Sequence, residues 1–247
     1  MEIINIIATF FFSTIIILIS QKFFISKKYT DEIIVRSSHS VIATRSGGLS
    51  IYISIFIVSF FYYVSGYSIF DYSILVPLSL LMFLGLYDDI KNIDFKLKFV
   101  FQIIAAKIII DNGLIIDNFH GLFGIFELNR IIAQLFTIFI VIAIINSINF
   151  IDGIDGLAIS IIILFIVLFE FFSDEITPFK TFSTILLASL VPLYYFNFRN
   201  KNKVFLGDSG SLFLGGVVSI YVIYTLTNNN LFNFQCSIFD DFIVFFQ

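Results

Sequence analysis

Two acidic stretches hold most of what could do chemistry. In Asn146-Ser-Ile-Asn149-Phe-Ile-Asp152-Gly-Ile-Asp155-Gly, two amides and two carboxylates recur every three residues between long apolar runs. On a helix that spacing keeps neighbours on roughly one face. Asn146, Asn149, Asp152 and Asp155 are therefore expected to line one wall of a site. Polar groups this dense beside apolar segments are costly unless they pair, bind an ion or face water. A polar loop with a capping aspartate is the plain alternative, but capping rarely needs four such residues in register. The second stretch, Gly85-Leu-Tyr-Asp88-Asp89, closes another apolar run. Adjacent carboxylates repel, and burial penalises their charged forms unless a cation is near. A hard cation such as Mg2+ takes oxygen ligands and keeps waters and substrate phosphates in its shell. An acidic helix end in headgroup space would explain the pair as well.

Three further clusters could serve the same chemistry. Gly207-Asp208-Ser209-Gly210-Ser211 opens an apolar run. Ser209 and Ser211 can cap a helix there, its free N–H groups would favour phosphate, and Asp208 adds a carboxylate for a metal. A simple capped turn is the other reading. Lys98 and Gln102 stand one helical turn apart; Lys98 can contact phosphate or snorkel as an anchor. Arg36-Ser-Ser-His39 and Arg45-Ser-Gly47-Gly48 supply arginines suited to phosphate, or merely basic anchors and a glycine turn. His39 and His120 stand alone. There is no zinc-ligand spacing, Ser-His-Asp set, P-loop or dinucleotide fingerprint, and no nucleic-acid partner is expected.

The elements that must position these groups follow from composition. Of 247 residues, 59% are hydrophobic and 13% charged, where soluble domains carry about 25% charged residues; the mean hydropathy is +1.01. An integral membrane protein is expected, and the net charge of −4 says little about partners. One cysteine, Cys236, excludes an internal disulfide framework. A bilayer core needs about 20 apolar residues per helix. Such runs lie near 3–20, 49–65, 72–87, 99–116, 131–148, 157–173, 182–198 and 211–227, with a ninth starting near Ile238. They are continuously apolar rather than alternating, which disfavours a β-barrel. The expected fold is an all-α, polytopic helix bundle of about eight transmembrane helices plus a partial ninth. The first run has no basic n-region before it and no small-residue cleavage site after it, so a retained helix is expected.

Eleven of the 14 basic residues fall in segments 20–48, 88–98 and 197–210; Arg130 and Lys180 fall in the alternate set and Lys107 inside a run. By the positive-inside rule the first set is cytoplasmic and the N-terminus outside. Every candidate cluster then lies on the cytoplasmic side, where a soluble substrate and a membrane lipid can meet.

Taken together, these motifs resemble those of the polyprenyl-phosphate N-acetylhexosamine-1-phosphate transferases (glycosyltransferase family 4). Arg45 with Gly47-Gly48-Leu49 is similar to that family's first cytoplasmic motif, Asp88-Asp89 to its paired aspartates, and Lys98 with Gln102 to its following lysine and glutamine. The stretch from Asn146 to Ala158 is similar to its central motif, and Val204 to Gly215 to a later one. The resemblance runs in order over nearly the whole chain. It implies transfer of a sugar-1-phosphate from a UDP-sugar to polyprenyl phosphate, with release of UMP, in the bacterial cytoplasmic membrane. It implies Mg2+ (or Mn2+) held by Asp208 and Asp152, and a catalytic set of Asp88, Asp89, Asp152 and Asp155. It implies substrate binding by Arg45, Lys98, Asn146, Asn149, Gly207, Ser209 and Ser211, and admits a homodimer.

Two departures accompany it. Prolines usual near Ile42 and Thr44 are absent. The chain also stops before a histidine-rich cytoplasmic loop and the last spans, so residues 1–247 are expected to form a single, C-terminally truncated transmembrane transferase domain. An inactive truncated homologue is the first alternative. An ion-coupled transporter is the second; it predicts carboxylates near mid-membrane depth.

Overall fold

A computed structural model of the chain describes residues 2–30, 43–67, 71–121, 124–173, 177–199 and 201–227. Arg36, His39, Ile42, Cys236 and the ninth run from Ile238 lie outside the described residues. Within them are eight helices: α1 (Glu2–Ser26), α2 (Gly47–Val64), α3 (Leu75–Lys91), α4 (Phe95–Asp111), α5 (Arg130–Ile151), α6 (Leu157–Phe172), α7 (Lys180–Asn197) and α8 (Gly207–Thr227). Two short strands, β1 (Ala43–Thr44) and β2 (Lys203–Val204), pair in parallel.

The helices coincide with the eight apolar runs because little else in those segments can satisfy backbone N–H and C=O groups in hydrocarbon. Five segments are long and apolar enough to cross a membrane: Ile6–Ser26, Gly47–Val64, Tyr72–Lys91, Arg130–Ile151 and Gly207–Thr227. Local signals set the ends. The Asp71 side chain accepts from the Ser73 N–H ahead of α3, and that of Asn129 from the Ile131 N–H at the start of α5. Past α4, Gly113 takes a φ of +89°, so this helix stops at Asp111 rather than running on to residue 116.

Helix α8 is the axis of the bundle. In its apolar window 72% of residues are buried, against 28–39% in the other four segments. Glycines let its neighbours reach its backbone. A Cβ on Gly48 of α2 would lie 2.0 Å from the Gly210 nitrogen, and one on Gly85 of α3 would lie 2.2 Å from the Asp208 carbonyl oxygen. Apolar side chains of α3, α5, α6 and α7 (Leu81, Ile145, Ile162 and Leu190 among them) fill the remaining core with Leu212, Phe213 and Val217 of α8. Their outward faces, with Phe139, Phe171 and Tyr195 exposed, match a lipid-facing surface.

The strand pair ties the segment before α2 to the segment before α8. Ala43 is in register with Lys203 and Thr44 with Val204. The ladder continues through Phe205 N–H to Thr44 O (2.8 Å), Gly47 N–H to Phe205 O (3.0 Å) and Gly48 N–H to Leu206 O (2.8 Å). Both helices therefore start from the same end of the bundle, and this is where the polar clusters meet.

Candidate active site

The C-terminal end of α3, the first turns of α4 and α8, and the C-terminal end of α5 converge at that end. Asp88 and Asp89 are sequence neighbours on a helix, so their side chains diverge and do different things. The Asp88 carboxylate turns toward α4, accepting from the Ile93 N–H (2.6 Å) and from Lys98 Nζ (2.7 Å). Lys98 Nζ also reaches Asp208 Oδ2 at 2.9 Å. The other oxygen of Asp208 accepts from Asn149 Nδ2 (2.7 Å), which also donates to Ser211 Oγ (2.8 Å). A chain Asp88–Lys98–Asp208–Asn149 thus joins four helices through charge-assisted hydrogen bonds, the strong kind.

Asp89 turns toward α8 instead. Its fully buried carboxylate accepts from the N–H groups of Asp208 and Ser209, both at 2.9 Å. The half-exposed Arg45 places Nη1 3.9 Å from the same carboxylate. This corrects the expectation of a free helix terminus waiting for phosphate. The first N–H groups of α8 already hold an anion of the protein's own, and Asp89, not the Ser209 or Ser211 hydroxyl, occupies that terminus. Gly207 makes room for it: its φ is +74°, and a Cβ there would sit 2.8 Å from Asp89 Oδ2. Asp89→Ala should strand those two donors and lower stability by about 2 kcal/mol, read as an earlier thermal transition in detergent.

The four-residue wall also needs correction. Helix α5 ends at Ile151, so the spacing of three holds for Asn146, Asn149 and Asp152 but not for Asp155. That residue lies in the turn before α6 and pairs with Lys203 of β2. Lys203 also lies over the Phe205 ring, 5.0 Å from its centroid. Asn146 sits a turn deeper than Asn149 and binds Gln102. Ser209 and Ser211 are fully buried, so their hydroxyls face the interior and not a substrate. Lys203 and Gly85 escaped the sequence reading. The signal for Lys203 was its place just ahead of the Gly207 motif; Gly85 carried none, because its role is set by the Asp208 backbone.

Asp152, just past α5, has its carboxyl pushed up to about 8. Burial is the main cause, followed by the charges of Asp208 and Asp89, while the Gly207 N–H and Arg45 act the other way. A cation would relieve such crowding of acids. Among the described residues, no three acidic, histidine or cysteine side chains form a group that could hold an ion by themselves. Mg2+ does not require that: one or two carboxylates with waters and substrate phosphates suffice. The oxygen donors of Asp208 and Asp152 fit that habit.

Fold and site together define a helical membrane bundle with a carboxylate–lysine centre at one end. Residues 71–226 match the model of glycosyl transferase family 4. Over 191 residues the chain is 32% identical to the probable undecaprenyl-phosphate N-acetylglucosaminyl 1-phosphate transferase of Bacillus subtilis (strain 168), an alignment covering 75% of this chain and 52% of that relative. The chain belongs to glycosyl transferase family 4, and it spans about half the length of this relative.

Proposed function

We propose that this protein transfers a sugar-1-phosphate, of the N-acetylhexosamine class, from a UDP-sugar to a polyprenyl phosphate. A lipid-phosphate oxygen attacks the phosphorus that carries the sugar. The bond from that phosphorus to the bridging oxygen breaks, and UMP leaves with that oxygen. The product is a polyprenyl-diphosphate sugar, the first membrane intermediate of a cell-envelope polysaccharide. The observation that carries this reading is the Asp88–Lys98–Asp208 chain at the end of an apolar bundle, in a member of this family.

Phosphoryl transfer is mostly positioning and charge neutralisation. Mg2+ held by Asp208 and Asp152 would supply neutralisation at the donor pyrophosphate. Lys98 and Arg45 bring positive charge to the phosphates, and Asn149 fixes the rotation of the Asp208 carboxylate. A phosphate monoester has its second pKa near about 6, so the acceptor is largely ionised at neutral pH. Asp88 then orients it and holds Lys98, rather than abstracting a proton.

The site faces the cytoplasm in this reading. Lys22, Lys91, Lys98, Arg199 and Lys203 all belong to the end of the bundle that carries the site, which supports that orientation by the positive-inside rule. A transporter is disfavoured, because Asp88, Asp152 and Asp208 stand at helix ends and not at mid-span.

The test is UMP release by membranes containing the protein, given polyprenyl phosphate, Mg2+ and a panel of UDP-N-acetylhexosamines. Release should require both lipid and metal. Asp88→Asn should lower it by about 100-fold through lost positioning; a rate within a few-fold of wild type would remove Asp88 from the chemistry. No release from any donor would sink the assignment.

A further inference from the structure

Beneath the charged chain lies a second polar layer. Gln102 is one turn below Lys98 on α4, and Asn146 is one turn below Asn149 on α5. Asn146 Nδ2 donates to Gln102 Oε1 at 2.8 Å, and Gln102 Nε2 returns a longer bond to Asn146 Oδ1 at 3.4 Å. The second Nδ2 hydrogen of Asn146 goes to the Ile142 carbonyl (2.8 Å). The amide is therefore committed to the protein on its donor side. Gln102 is 1% exposed, so it offers nothing to a substrate.

These two residues stand directly under the two side chains that grip Asp208 from opposite sides, Lys98 on Oδ2 and Asn149 on Oδ1. The spacing between α4 and α5 sets whether both grips close at once. Gln102 is buried and Asn146 partly buried, and the fully buried Ala105, Ala106 and Ile145 flank them along α4 and α5. A reciprocal amide pair in such a setting has one well-defined length, because an unpaired amide there is costly.

We propose that Gln102 and Asn146 are a paired positioning device: they hold α4 and α5 at the separation that lets Lys98 and Asn149 clamp Asp208, and Asn146 does not contact the sugar nucleotide. The proposal rests on the transferase reading and adds to it a division of labour within the Asn146–Asp155 motif. Asn149 and Asp152 serve the reacting groups, Asn146 serves the frame.

The experiment compares Asn146→Ala, Gln102→Ala and the reciprocal exchange Gln102→Asn with Asn146→Gln, which keeps the summed side-chain length. Four quantities are read on purified protein: kcat and KM for UMP release, melting temperature, and the rate at which an amine-acylating reagent modifies Lys98, mapped by mass spectrometry. Each alanine variant should lose between about 10- and 100-fold in kcat with KM for the UDP-sugar nearly unchanged. Lys98, released from its clamp, should acylate several-fold faster. The exchange should restore both. A raised KM with kcat and acylation intact would make Asn146 a substrate contact and overturn the proposal. A lowered melting temperature with normal kcat and acylation would reduce the pair to simple packing and overturn it too. Should wild type release no UMP, the transferase reading fails, and Lys98 acylation still decides the positioning role on its own.

Discussion

Asp208→Asn should leave a folded protein with turnover reduced by at least about 1,000-fold. The carboxylate is the one group touched by both arms of the clamp, with Lys98 on Oδ2 and Asn149 on Oδ1. An amide in its place keeps the shape, cannot balance Lys98, and presents an NH2 to one of two donors. A hard cation loses its ligand as well, since it takes oxygen donors. Folding should survive, because the terminus of α8 is held by Asp89 through the backbone and not by the Asp208 side chain. The check is UMP release per folded protein, with folding judged by monodisperse elution and melting temperature. Retained Mg2+-dependent activity in a folded Asp208→Asn protein would overturn the central role given to this residue.

The largest expected effect on stability lies outside the chemistry. Gly48→Ala would place a Cβ 2.0 Å from the Gly210 nitrogen and 2.3 Å from its Cα. Both are backbone atoms, so no side chain can rotate away, and helices α2 and α8 must separate. Overpacking of this kind costs about 3 kcal/mol or more. The shift also moves Asp208, two residues from Gly210, so activity should fall by about 100-fold even in the molecules that stay folded. Thermal melting in detergent and the same UMP assay read the two effects separately. A Gly48→Ala protein that melts with wild type would mean that the two backbones do not approach this closely.

Much of this was legible in the sequence, for a physical reason. Continuous apolar runs leave a chain in lipid few choices besides helix, so the eight runs become the eight helices, shifted by a few residues at their ends. The polar clusters stand out because nothing else in such a chain is dense in carboxylate and amide. What the residues hid is how they pair. Asp88 and Asp89 look equivalent in the sequence, yet only one of them faces Lys98 while its neighbour is spent on the α8 terminus. The interval of three from Asn146 to Asp155 implies one wall, but the helix stops at Ile151 and the last aspartate goes to Lys203. Lys203 reads as one more topology-setting cation until β2 places it. Gly85 gave no local signal, since its role is set by a backbone that arrives from over a hundred residues further along the chain.

The pairing of β1 with β2 bears on how the site comes into being. Chains are made from the N-terminus, and early segments fold or insert before later ones exist. Of the helices made before α8, α1, α2, α3 and α5 are long and apolar enough to enter the bilayer on their own. The Arg45 segment, Asp89 and the Asp88–Lys98 pair must then wait, because β2, Asp208 and the α8 terminus are the last described pieces to emerge. Closing a loop this long is slow compared with forming local contacts. Ribosome-bound chains arrested before Lys203 should therefore hold the earlier helices and an unassembled centre, with Asp89 open to carboxyl-modifying reagents. Release of α8 would bury it in a single late step of biogenesis.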